Sequence, residues 1–580
     1  MKKFLKILKS IAVWVFLALM IAISFFALAA LMVNRHQLAK GQGVAFVIFG
    51  FAAISGMAFL CIRWMCRAYG MRSTGMVFAG FALLVGLFYA EEDWRGWRAW
   101  QSFKHQSEAK GEKLDYASII PPTVPDDQNF ALTPVVASAY EAWLDNQGNQ
   151  IDPRTHNPNA KIVNRMAMAV YGDDYGGKWF TNQANWAKGT VTDLKVWQNY
   201  YRALAARTNL FSVPPQPQSA AADVLQALSK YDSTIEELRQ ASRLPESRFP
   251  LHYNADHPFD ISVMHLAATK LCLQMLALRT EAELEMGQSD KALDDIKLAF
   301  RVVDSVRQEP FLISHLVRIA DLQIMLQPVY EGLARHRWSD AELAELERAL
   351  GRFDFLADLQ RSCRGERNSA ISTIDYLRRH KDFHDLANMT GDFDDNADAA
   401  NMWSGIFGAT VYAFIPSGWF YLNEVNLGKI NEEWALPMTD PINHQIFPKL
   451  AQEVELYRSS LPLRPWNYFV FMFMPSYSAA ERKFGYTQSA VDLATVACAL
   501  ERYRLAHGNY PASLAAVSPK FIESLPNDVV GGQPLNYRRT DDGRFVLYSL
   551  GWNEVDDGGT AALTPSGRPD NSNGDWVWAY

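Results

Sequence analysis

Residues 11–33 read IAVWVFLALMIAISFFALAALMV, from Ile11 to Val33 without one charged side chain. At about 1.5 Å of rise per residue, a helix of these 23 residues outreaches a hydrocarbon core of roughly 30 Å. Two more uncharged runs follow, Gly43 to Ile62 and Ser73 to Ala90. The sequence therefore predicts three N-terminal transmembrane helices at about 11–33, 43–62 and 73–90. Small residues four apart, Ala52/Gly56, Gly75/Ala79 and Ala82/Gly86, let such helices approach closely as a bundle.

Orientation follows from the basic residues near the span ends. Lys2, Lys3, Lys6 and Lys9 precede the first run, and Arg63, Arg67 and Arg72 lie between the second and third. Cytoplasmic loops carry such an excess, so the large region beyond residue 90 is expected outside the cytoplasm, on the periplasmic side of an inner membrane. A cleaved signal peptide ending near Ala27 and Ala29 is the rival reading of the start. It leaves the same outward orientation, because the remaining two runs form a hairpin with both ends outside.

The expected fold is mainly α: a membrane anchor over 1–92, a juxtamembrane helix and Pro-rich linker over 93–133, a large helical domain over 134–485, and a small α+β module over 486–580. A chain of 580 residues exceeds what one core usually organises, which favours several domains. A net charge of −7 gives no bulk cationic character for phosphate backbones, so nucleic acid is not an expected partner. Cys61, Cys66, Cys272, Cys363 and Cys498 make an odd set without a CxxC pair. They are read as buried thiols rather than a disulfide framework.

Past the spans, Trp94, Trp97 and Trp100 recur with Arg95 and Arg98, suiting an interfacial helix or a direct continuation of the third span. Pro121, Pro122 and Pro125 mark an extended linker. Up to about residue 213 the pattern is irregular with a few helices. From Pro258 to His384 apolar residues recur at helical spacing, as in Leu312, Leu316, Ile319, Leu322 and Leu326. Ser339 and Glu342 form a capping box, and Gly351 is placed to stop that helix. A pair of helices around Gly287, Ala292 and Ala299 resembles a tetratricopeptide hairpin, which implies helix stacking and a protein-binding groove. Trp403 to Leu422 is uncharged, but Pro416, Ser417 and Gly418 break it, so it is expected as a buried core helix and not a fourth span.

Several chemical motifs fail on their own terms. Gly172 to Lys178 imitates a phosphate loop, yet Trp179 stands where a hydroxyl is needed and Asp173 and Asp174 repel phosphate. His380 and His384 have ligand spacing, but Lys381 occupies the position of a zinc protease's glutamate. Asp392, Asp394 and Asn396 open like a calcium loop that Ala397 and Trp403 then contradict. His252, Asp256, His257 and Asp260 cluster in a Pro-flanked segment able to bind metal or to make ordinary loop hydrogen bonds.

At the C-terminus, Leu493, Val496, Ala497, Leu500 and Tyr503 form one apolar helix face that Gly508 ends and Pro511 follows. Strands through Leu535, Tyr537 and Arg539, and through Phe545, Leu547 and Ser549, flank a turn at Asp541-Asp542-Gly543. With Leu525-Pro-Asn-Asp528 and Gly532-Gln-Pro-Leu-Asn-Tyr537, these residues resemble the globular domain of type II secretion major pseudopilins. The resemblance covers about 95 residues and implies a calcium-binding last loop, with Asp556, Asp557, Asp570 and Asp575 as oxygen ligands. Asn553 stands where that family has an aspartate, leaving a polar surface turn as the alternative. Some 480 residues precede the module, so pilus polymerisation is not implied.

The functional expectation is a membrane-anchored cell-envelope protein, non-enzymatic, that contacts the lipid bilayer and a protein partner. The alternative is an envelope metal-dependent hydrolase using the His252/His257 or His380/His384 region.

Overall fold

A computed structural model of the chain describes residues 60, 63–68, 70–145, 162–172, 184–253, 258–381 and 412–579. Helices dominate, and a small sheet region lies at the C-terminus. The predicted spans 11–33 and 43–62 fall outside the described residues apart from Leu60. The third belongs to α1 (Met71–Ala109), one uninterrupted helix of 39 residues. It is long and apolar enough to cross a membrane, and its apolar side chains from Met71 to Phe88 are largely exposed. No separate juxtamembrane helix forms, because nothing between Ala90 and Trp100 breaks the backbone pattern.

After α1, Gly111 takes φ +87°, the left-handed turn glycine allows, and sends the chain back along the domain. The Pro-rich linker is held by side chains of a distant helix: Asn368 Nδ2 donates to the carbonyls of Lys113 and Asp115 at 2.9 and 3.1 Å. Helices α2 (Pro134–Glu141) and α3 (Leu194–Ala205) sit among irregular segments, as the weak periodicity predicts. Helices α4 (Ala220–Leu228) and α5 (Asp232–Ala241) follow.

The central layer is α6 (Leu266–Glu285), α7 (Ser289–Val303), α8 (Leu312–Ala334), α9 (Asp340–Leu350) and α10 (Phe355–His380). α6 and α7 form a hairpin across Gly287, whose φ is +73°, and Ala292 and Ala299 are fully buried. The Ser339/Glu342 capping box forms on α9. Of the stretch 403–422, the residues before Tyr412 lie outside the described ones. Tyr412 and Phe420 are buried, and α11 (Ser417–Ile430) starts directly after Pro416.

The short hairpin β1 (Thr439–Asp440) and β2 (Gln445–Ile446) leads to α12 (Pro448–Ser460) and α13 (Tyr468–Phe473). Helix α14 (Tyr477–His507) is almost wholly buried between Ala480 and Glu501 and packs on α8, α9, α10 and α12. It runs unbroken through residue 486 and ends at Gly508, φ +81°. The C-terminal sheet is antiparallel in the order β3 (Asn536–Arg539), β4 (Phe545–Ser549), β7 (Trp576–Ala579), with Tyr537 opposite Leu547 and Leu547 opposite Trp578. A hairpin of β5 (Ala561–Leu563) and β6 (Pro569–Gly574) stands beside it. Trp578 is buried against Trp186 and Tyr330, at 5.3 and 5.6 Å between ring centroids. The helical region and the C-terminal module thus share one hydrophobic core.

Candidate functional site

A cleft of about 850 Å³ lies where the end of α1 meets α10 and the β1–β2 hairpin. Gln360, Arg364 and Arg367 recur four and three residues apart, so one face of α10 presents all three. The turn at Gly111 brings Glu112 onto that face. Arg364 Nη2 donates to Glu112 at 2.8 Å, and fully buried Arg367 lies 3.0 Å from the same carboxylate. Lys110 and Arg367 flank Glu432 at 3.6 and 3.7 Å. Gln360 Nε2 donates to Thr439 O at 3.0 Å and fixes the hairpin across the opening.

Burial opposes the charge on Glu112, but its bonds to Arg364 and Arg367 outweigh burial and hold the carboxyl below its usual range. Burial lowers Arg361, whose Nη1 donates to the neutral amide of Gln308 at 2.8 Å. The lining carries guanidinium, ammonium and carboxylate groups but no Cys, His or Ser. These groups equip it for polar recognition.

A second polar group lies deep in the helical layer. His265 Nε2 is 2.8 Å from Glu309, Ser314 donates to the same carboxylate, and Arg318 bridges Asp358 and Asp304. All but Asp304 are buried. Ser314 and its Glu309 partner are buried away from solvent. Local sequence gives no sign of this group, because its members come from five separate segments.

Of the histidines singled out by spacing, His252 and His380 lie among the described residues. His252 is exposed with its ring edge toward Tyr140, while Asp256 and His257 lie outside the described residues. Asp260 closes a short turn, Pro258–Asp260. His380 ends α10, its Nδ1 3.0 Å from Tyr376 O, and His384 lies outside the described residues. The segments 173–178 and 392–397 lie outside them too.

Each of the four C-terminal aspartates accepts hydrogen bonds from the chain itself. Asp575 is buried and accepts backbone N–H groups of Asp557, Gly559 and Thr560 at 3.3, 2.7 and 3.3 Å. Asp556 accepts from Tyr548 Oη and Gly558 N, and Asp557 from Asn553 Nδ2. Asp570 is held within its own turn by Ser572 N and Asn573 Nδ2, both at 2.9 Å. Among the described residues, no three acidic, histidine or cysteine side chains gather as a metal cage.

By fold, the chain is a mainly helical protein with a small C-terminal sheet region and, among the described residues, one helix long and apolar enough to cross a membrane. Comparison with family models, with curated proteins and with solved structures gave no match.

Proposed function

We propose that this chain is a multi-pass membrane protein of the cell envelope whose large domain lies outside the cytoplasm and works by binding a protein partner, not by catalysis. One observation carries the reading. Helix α1 leaves its first half exposed and apolar, while its second half is built into the domain against α11. An exposed apolar surface of that length suits lipid and not water. The domain is therefore held at a fixed distance from the bilayer by one continuous helix.

The tetratricopeptide-like hairpin α6–α7 and the pseudopilin-like module support an interaction role, and the juxtamembrane cleft is the place proposed for polar contact with the partner. Reporter-enzyme fusions test the topology: an export-dependent reporter is active after residue 110 and silent at Ala68. The reverse pattern overturns the orientation. Crosslinking in intact membranes, with Arg361 replaced by a photoreactive residue, tests the partner. Adducts to lipid alone would sink the protein-binding role.

A further inference from the structure

The end of α1's apolar half is surrounded by two other chain segments whose exposed residues match it in kind. Tyr89 Oη donates to Phe414 O at 2.6 Å. One turn further on, Asp93 accepts the Gly418 N–H at 2.8 Å and Glu92 accepts the Trp419 indole N–H at 2.8 Å. Glu92 and Asp93 lie only about 5–6 Å beyond Tyr89 along the helix. That is the thickness of the headgroup layer on one side of a bilayer, about 5–7 Å. Residues 414–419 are therefore fixed beside the helix, just past the end of its apolar half.

A third segment joins them. The loop 461–467 is braced by Asn467, which accepts from Arg464 N and donates to Pro462 O at 2.7 and 2.9 Å. Asn423 Nδ2 donates to Pro465 O at 2.9 Å, and Trp466 meets Trp419 edge to face at 6.0 Å. This surface leaves Trp94 55%, Phe414 39%, Leu463 70% and Tyr468 44% exposed. Arg464 lies over the Trp466 ring at 5.6 Å, and Arg98 over Trp94 at 5.2 Å. Exposed aromatics with arginines beside them, at one end of an apolar helix, are the composition of a membrane interface.

We infer that residues 412–421 and 461–468 form, with Tyr89–Trp97, a lipid-contacting surface that seats the domain on the headgroup layer of the membrane α1 crosses. The occupant is the bilayer because the surface continues the lipid-facing side of α1 and lies at its depth. The bonded positions at Tyr89, Glu92 and Asp93 then fix the tilt of the domain as well as its distance. This inference rests on the membrane reading of α1.

The test uses the whole chain, with Cys61 and Cys66 replaced by Ser, in vesicles of phosphatidylethanolamine and phosphatidylglycerol. Single variants Leu463→Cys and Phe414→Cys carry a bimane fluorophore. Phe81→Cys in α1 and Leu505→Cys on the C-terminal module serve as references. Headgroup-nitroxide lipid is expected to quench positions 463 and 414 several-fold more than 505, and acyl-chain nitroxide to quench 81. If 463 and 414 behave like 505 while 81 is quenched, the seating surface is wrong and the membrane reading stands. If 81 escapes both quenchers, the membrane reading itself fails. Protection of 463 from lipid-borne and water-soluble quenchers alike means that protein covers the surface, which overturns the inference.

Discussion

Gly96 and Gly418 meet backbone to backbone: a Cβ added at Gly96 would stand 2.1 Å from the carbonyl oxygen of Gly418, and one at Gly418 would stand 1.9 Å from that of Glu92. This contact joins α1 to the domain. Gly418→Ala forces backbone apart and is expected to cost about 1–3 kcal/mol, as overpacking does. Gly351→Ala is the comparison, since its φ of −63° is ordinary and its nearest added contact is 3.4 Å. Thermal melting of the detergent-solubilised chain should fall for Gly418→Ala and hold for Gly351→Ala. Equal melting of both variants would mean the crossing is looser than described.

Arg367 is fully buried and depends on Glu112 for its charge partner. Glu112→Gln strands that guanidinium except for Glu432 at 3.7 Å. A loss of up to about 3 kcal/mol is expected, the lower end for a broken buried pair because one carboxylate remains. The folded Glu112 carboxyl titrates below its ordinary 4.5. Its stabilisation is complete above that value and disappears as pH falls through the lowered one. Denaturant midpoints measured from pH 6 downward should show an acid-side drop in the wild type that the variant lacks.

These two contacts also mark where the sequence was legible. Gly508 before Pro511, the Ser339/Glu342 box and the Asp541–Gly543 turn work through neighbours a few residues away, so local chemistry reveals them. Gly96 with Gly418 and Glu112 with Arg367 join segments hundreds of residues apart, and nothing beside either residue announces its partner. His265 and Glu309, 44 residues apart, likewise sit in different segments that no local pattern links. The run Ser73–Ala90 is visible in the sequence as apolar, but its continuation into the domain follows from packing against α11. The C-terminal helix face was readable, yet the depth of α14 in the helical layer was not, because burial on all sides erases periodicity.

Asp321 on α8 is a buried acid whose titration is pushed up to about 7, chiefly by burial. Thr269 Oγ1 lies 2.9 Å from Leu266 O and 2.7 Å from Asp321 Oδ2. A hydroxyl donates only once, so a protonated Asp321 donating to Thr269 satisfies both contacts. Between its ordinary value of 3.8 and about 7 the folded state holds a proton the unfolded state has lost, so stability falls as pH rises through that window. Asp321→Asn keeps a donor toward Thr269 and removes the titration. Its stability should vary less between pH 4 and 7 than that of the wild type. An unchanged slope would assign the dependence to Glu281, Glu424 and Glu481, which burial also raises.

Calcium at the last loop has a direct test in the melting curve. The pseudopilin resemblance offers Asp556, Asp557, Asp570 and Asp575 as ligands, but Asp575 already serves as the internal anchor of its loop. Its two oxygens take three backbone N–H groups, and its own N–H donates to Thr560 O at 3.0 Å. Capturing a cation would require releasing those amides in a buried setting, at about 1–3 kcal/mol for each left unpaired. The whole chain is the object to measure, because α14 is part of the helical core. Bound calcium at about 100 times its dissociation constant would add roughly 2.7 kcal/mol, a plain rise in melting temperature. The expected result is that chelator and millimolar calcium leave the melting curve in place, while Asp575→Asn lowers it by turning an amide donor toward amide donors. A calcium-dependent rise that Asp575→Asn abolishes would show that the loop rearranges around the ion and that the family's site is present after all.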